Sequence, residues 1–355
     1  MKSSIYIYHL FDVADEINLD LVEALWTSRN KIASRLRLEK VSPHSISFKD
    51  PPVLVELGNH EMTFAGITYL AEIKARIFDL GVVSLIIKLE VPEDITYEQY
   101  VDLAIAVGKL PEDVILEYIQ ATSETIKPAC TRMRISDFDE DFVVYYFNDP
   151  LPAWDFAPIL DKDKSPLSPE TIKDSLSNRF SYGSDDETYL TWDSAIIFDK
   201  TGSMDLPDLL EFANAQFLEL RYYDDALNKA IDHSYGELDA ANKKSDSSQR
   251  ASSYRHIRNN LMEVMADMSV LTSNIDNALQ VTEDIFNARV YSRYMQLLKT
   301  SVWRENIENK ISVIQRCYNL LNEEVLMHRF VKIGYSCVSL LVIAVLLLIY
   351  SSFIR

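Results

Sequence analysis

The side chains with chemical potential are few and scattered. His60-Glu61 could begin a metal site, but no third ligand accompanies it at a usable spacing, so a surface turn is expected. The acid clusters Asp137-Phe-Asp-Glu-Asp141 and Ser184-Asp-Asp-Glu187 could hold a hard cation loosely; without EF-hand spacing they are expected to be solvated loops. The 8 glycines include no GxGxxG or GxxxxGK[ST] spacing, so no phosphate-cradling loop can be built from them. HExxH, GxSxG and kinase-type signatures are absent as well. Three cysteines, Cys130, Cys317 and Cys337, lie far apart without a CxxC pair, which indicates neither a zinc site nor a disulfide framework and suits a reducing compartment. No catalytic, cofactor-binding or metal-binding residue is assigned, and a non-enzymatic role is expected.

One constellation stands out in the C-terminal half. It runs through Leu261-Met262, Ala266-Asp267, Ile275-Asp276-Asn277-Ala278-Leu279, Ala288-Arg289-Val290-Tyr291 and Trp303-Arg304. Asp276, Asn277, Arg289, Tyr291, Trp303 and Arg304 are its polar and aromatic members. Arg289 falls seven residues after Thr282, where a heptad core residue is due; a cation there needs an intramolecular carboxylate or fixes register.

These motifs, in this order and followed by an apolar C-terminal segment, resemble the "required for meiotic nuclear division" family, over about 165 residues from Thr191 onward. The resemblance implies a domain of unknown function with a C-terminal membrane helix. Mitochondrial relatives sit at the inner membrane and support organellar translation by tethering ribosomes. With no transit peptide visible, this chain resembles a bacterial member, and any ribosome role is a family-level analogy.

The elements that must position these residues form an α+β pattern. Ile5–Leu10, Ser45–Phe48, Pro52–Leu57, Val82–Val91, Phe142–Phe147 and Thr191–Phe198 have the β-branched and aromatic character of strands. Asp20–Leu38, Tyr97–Val107 and Pro111–Ile126 read as helices, with Pro111 suited to a first turn. Met62–Arg76 fits either type. Residues 149–188, rich in Pro, Asp and Ser, read as a long, mobile surface excursion or a partly helical insertion. These elements make an acidic mixed α/β domain over 1–200.

A coiled-coil-like helical region is expected over 205–330, with one helix from Pro207 to Leu238 and a polar break over 241–253. Two stripes follow with coiled-coil spacing: Leu261, Val264, Met268, Leu271, Ile275, Ala278, Thr282 and Ile285, then Ile307, Ile311, Ile314, Tyr318, Leu321 and Val325. Either an antiparallel hairpin or self-association would use them, and a homo-oligomer is among the expectations.

Ile333 to Ile354 contains 22 residues without a charge, enough helix at about 1.5 Å per residue to cross a hydrocarbon core of about 30 Å. A single-pass anchor at 333–354 is therefore expected. His328, Arg329 and Lys332 on its N-terminal side place the bulk of the chain on the cytoplasmic face of the inner membrane. The formal net charge of −19 is uneven. Residues 250–332 hold 11 Lys and Arg against 9 Asp and Glu, whereas residues 1–249 hold 23 against 45. So acidic a body disfavours direct nucleic-acid binding and favours a basic protein partner in the cytosol. The reading that results is a membrane-tethered scaffold or adaptor. The alternative is an oligomeric ion-transport component resembling CorA-type channels, although the second span and Gly-Met-Asn signature of those proteins are missing.

Overall fold

The computed structural model describes residues 1–27, 33–35, 50–277 and 284–353, with backbone only for 33–35, 267–277 and 347–353. In chain order the elements are β1 (Ser3–Asp12), β2 (Glu16–Ile17), α1 (Leu19–Thr27), β3 (Ala33–Arg35), β4 (Val53–Phe64), β5 (Ile67–Ile77) and β6 (Val82–Val91). After them come α2 (Tyr97–Val107), α3 (Glu112–Ile126), β7 (Cys130–Thr131), β8 (Asp139–Phe147), α4 (Ala157–Leu160), α5 (Pro169–Ser175), β9 (Arg179–Phe180), β10 (Asp186–Leu190) and β11 (Ser194–Asp199). Four long helices complete the chain: α6 (Asp205–Asn242), α7 (Ser247–Asn277), α8 (Ile285–Leu297) and α9 (Thr300–Phe353). The class is α+β.

Two units divide these elements, and the division is not contiguous in sequence. The first contains residues 1–222 and 274–303; the second contains 223–273 and 304–355. The division falls within α6, whose first half buries Leu209, Leu210 and Ala213 on the sheet beside Val290, Tyr294 and Met295 of α8.

The first unit is built on a nine-stranded sheet of order β3-β4-β5-β6-β1-β8-β11-β10-β9, antiparallel except for the parallel pair β8–β11. Central β1 pairs with β6 through Ser3↔Val91 to Asp12↔Val82 and with β8 through Ser3↔Phe147 to Phe11↔Asp139. Near-continuous apolar runs in these strands are explained by burial on both faces. Against one face, Ile5, Ile7, Leu85, Ile87 and Tyr145 pack with Tyr100, Leu103 and Ile119 of α2 and α3. Against the other, Tyr8, Leu10, Ile86, Phe142 and Val144 pack with Leu209, Leu210 and Ala213 of α6 and Val290 and Tyr294 of α8.

Helix α2 starts where expected, closed by a capping box of Thr96 and Gln99. The ambiguous stretch 62–76 belongs to a hairpin, β4–β5, turning at Ala65 and Gly66 with φ of 49° and 79°. Ser45–Phe48 lies outside the described residues. Of the two readings for residues 149–188, the partly helical insertion matches: the stretch forms α4, α5 and β9, and Phe156, Ile159 and Leu160 are buried in the core. The Pro-rich composition reflects short helices opened by proline rather than open loop.

In the second unit α6, α7 and α9 each bury a stripe: Tyr223, Leu227 and Ala241; Ala251, Ile257 and Leu261; Ile307, Ile314, Leu321 and Val325. Polar links tie the three together: Lys310 Nζ to Asp224 Oδ1 at 2.5 Å, Arg258 to Asn322 Oδ1 at 3.2 Å, and Tyr254 Oη to Asn242 Oδ1 at 2.6 Å. The heptad residues 307–325 are thus covered within the chain. Of the earlier stripe, Leu261 is buried, whereas Ile285 is 88% exposed. Met268, Leu271, Ile275, Ala278 and Thr282 lie outside the residues whose side chains are described.

Beyond Val325 the described side chains of the 54-residue helix α9 are exposed, apart from half-buried His328. Phe330, Ile333, Tyr335, Val338, Leu340, Leu341 and Leu346 are all exposed, on every side of the helix. One helix among the described residues is long and apolar enough to cross a membrane, by length and composition, and it is this one.

Candidate functional site

A cleft of about 620 Å³ opens on the first unit. Its lining is drawn from several elements. The end of α4 and the end of α5 bring Asp161, Asp174 and Ser175; the turn between β10 and β11 brings Thr191 and Trp192; the α8–α9 junction brings Leu298, Lys299 and Trp303. Phe217 and Arg221 of α6, Glu140 of β8, Asn178 and Leu297 complete the lining.

Trp192 is held by its backbone and left free at its side chain. Its carbonyl lies 3.2 Å from the hydroxyl of buried Tyr294, which also reaches Asn214 Oδ1 at 3.0 Å. The rest of the turn is pinned to the end of α4: Ser194 donates to Leu160 O at 2.9 Å, and Lys162 Nζ pairs with Asp193 Oδ2 at 2.9 Å. The indole itself is 64% exposed, and no ring or cation among the described residues stacks on it. An anchored backbone under an exposed aromatic costs little entropy on binding.

The charges of the cleft are unequal in their partners. Arg221 is engaged by Glu140 and lies over the rings of Phe138 (5.3 Å) and Phe217 (6.0 Å). Asp161 accepts from Ser175 Oγ on both oxygens at 2.9 and 2.8 Å, and burial raises its pKa against that hydrogen bond. Neither Asp161 nor exposed Asp174 pairs with a cation among the described residues. Lys299, at the left-handed φ of 53° that ends α8, is exposed and also unpaired among them.

A second polar group lies buried under α6. Arg76 of β5 meets Asp208 at 2.8 Å and also Glu211, with all three side chains at most 7% exposed. The two acids are three apart, on one helix face, directed at the sheet. Burial pushes Glu211 up to about 7, against the attraction of Arg76, and raises Asp208 as well. Glu211 Oε1, Arg76 Nε and the Tyr8 hydroxyl find no hydrogen-bond partner among the described residues. An excess of one negative charge in a dry core makes this an electrostatically costly spot.

The residues singled out by motif are dispersed. Tyr291 is buried and donates to Gln216 Oε1 of α6, which makes it part of the α6–α8 packing. Trp303 meets Phe217 edge-on at 6.1 Å and lines the cleft. Arg289 does not occupy a heptad core: it is exposed, its guanidinium 5.8 Å from the Phe180 ring and 5.5 Å from Phe286, because α8 begins afresh at the Asp284 cap. Arg304 is half-buried in the second unit. Asp276 and Asn277 end α7, and their side chains lie outside the described residues.

His60 packs edge-on to Tyr118, whose hydroxyl is 3.4 Å from Nδ1. Asp139 is bound to His9 at 2.7 Å, and Asp186 accepts from the Tyr182 N–H at 2.6 Å. Among the described residues no group of three or more His, Cys, Asp or Glu could hold a metal. Trp192, Asp161, Asp174, Arg221 and Lys299 carry no local motif. Only the turn-like Thr191-Trp-Asp-Ser194 hints at an exposed indole.

The fold and this cleft define a class: a three-layer body on a mixed sheet, joined to long helices. The chain belongs to the family described as "Uncharacterized protein MJ0711, N-terminal domain", whose model matches residues 2–205. It is 25% identical over 155 residues to an uncharacterized protein of Methanocaldococcus jannaschii, a match covering 43% of this chain and 46% of that protein. The chain thus spans less than half the length of this relative. No solved structure matches.

Proposed function

We propose that this chain is a membrane-tethered, non-enzymatic adaptor: α9 anchors it in a bilayer and the sheet-based body receives a protein partner. The observation that carries the reading is the end of α9, where the described apolar side chains from Phe330 to Leu346 are exposed on every side of the helix. Water cannot solvate such a surface at acceptable cost, whereas hydrocarbon can. Arg329 and Lys332 beside the apolar segment favour a cytoplasmic body. The heptad stripe of α9 is already occupied by its own chain, so self-association would have to use the outer faces of the helices or the anchor itself.

The resemblance to the meiotic-division family rests on 191–354, largely outside the family match at 2–205, and enters this reading as a proposal of the same kind. Membrane fractionation tests the tether. The full chain should stay with membranes through alkaline carbonate washing, and a chain ending at Lys332 should be soluble. Release of the full chain by carbonate would refute the anchor.

A further inference from the structure

We propose that the cleft at Trp192 receives a cationic side chain, a guanidinium or ammonium group on a basic segment of the partner protein. This rests on the adaptor reading and adds the chemistry of recognition to it. Three observations converge. The exposed indole of Trp192 is the best π-surface for a cation, and its own ring faces are unoccupied among the described residues. Asp161 and Asp174 supply carboxylates on the α4–α5 wall with no cation neutralising them there. Arg221, whose guanidinium lies over the Phe217 ring of the cleft, is already engaged by Glu140.

The wider field points the same way. Residues 1–249 carry 45 acids against 23 bases, which attracts a basic segment before contact is made. Asp161, half-buried and held by Ser175, is the less solvated of the two acids, so a guanidinium reaching it would exchange water for a charge-assisted pair. Exposed Lys299 opposes the guest and would tune its affinity.

The test uses the full chain in detergent micelles, titrated calorimetrically with an amidated tri-arginine peptide and, separately, with tri-glutamate. Saturable one-to-one binding of tri-arginine is expected, weakening with salt. W192A should weaken it about fivefold, and D161N/D174N about tenfold. K299Q should tighten it about twofold. The control E112Q/D113N removes equal charge from the exposed first turn of α3 and should leave affinity unchanged.

Equal loss in the control would mean diffuse attraction and would overturn the proposal. So would stronger binding of tri-glutamate, or no saturable binding. W192A and D161N/D174N alter different segments, so misfolding of one leaves the other decisive. Failure to bind by a chain that resists carbonate extraction removes only the cleft assignment. Binding by a chain that carbonate releases removes only the tether.

Discussion

Asp208, in the first turn of α6, holds Arg76 of β5 at 2.8 Å across the sheet face, both nearly sealed from solvent. This pair, with Glu211, is the polar seam between the sheet and the helix that covers it. Removing the cation alone should be severe: Arg76→Met leaves two buried acids unpaired and is expected to cost about 3–5 kcal/mol in urea unfolding. Replacing all three by Met, Leu and Leu should recover most of that loss. A single variant with unchanged midpoint would refute the assignment.

The same seam sets a pH dependence. Glu211 is raised from the ordinary carboxyl range to about 7 in the folded protein, so between about 4.5 and 7 the native state holds a proton that the unfolded chain has lost. Its contribution therefore favours folding at low pH and is lost as pH rises to 7. Asp12, pushed up to about 6 by burial against the pull of Arg134, acts in the same direction. Unfolding midpoints from pH 5 to 8 should fall less steeply in Glu211→Gln than in the parent, and parallel profiles would count against the buried ionisation.

Gly81 tests a close backbone approach. Its φ is +103°, and a Cβ there would stand 1.9 Å from the Ala14 carbonyl oxygen, beside the Val13 N–H bond to Gly81 O at 3.0 Å. Gly81→Ala should lose more than ~2 kcal/mol. Gly58, at φ +115° with nothing within 4 Å, should lose only about 1 kcal/mol on the same change. Thermal melts of both variants distinguish clash from backbone strain.

The anchor is tested without truncation by charge. Leu341→Arg with Val345→Arg places two cations near the middle of the apolar segment, each costing about 2.5–3.5 kcal/mol on insertion. The double variant should move into the soluble fraction or aggregate there; unchanged carbonate-resistant membrane association would refute insertion of this segment.

Tyr294 tests the support under the cleft. Tyr294→Phe removes the hydroxyl shared by the Trp192 carbonyl and Asn214, at an expected cost of about 1–2 kcal/mol. It should also weaken tri-arginine binding, while Trp192→Ala should leave the thermal midpoint nearly unchanged because its indole is exposed. Equal melting losses in the two would contradict that division of roles.

Much of the body was legible because its strands are buried on both faces and α2 opens with a capping box. Val82–Val91 and Tyr97–Val107 have the bounds that their residue types predict. Met62–Arg76 resisted because exposed Leu70 completes a helical spacing with Ile67, Ile73 and Ile77, whereas the true alternation buries Tyr69, Ala71, Ile73, Ala75 and Ile77. The cleft was not legible: Asp161, Trp192, Arg221 and Lys299 meet only through the tertiary fold. Arg289 misled because a heptad count continues across a break that the chain uses to start a new helix.

The return of α8 to the sheet has a consequence for dissection. Similarity delimits residues 2–205, yet Tyr8, Leu10, Phe142 and Val144 are covered by α6 residues after 205 and by α8, which begins at Ile285. A polypeptide cut at 205 would present that apolar sheet face to water and is expected to aggregate. Supplying residues 206–222 and 284–303 should restore solubility. In this chain the segment recognisable by ancestry is smaller than the set of residues that closes the core of its own sheet.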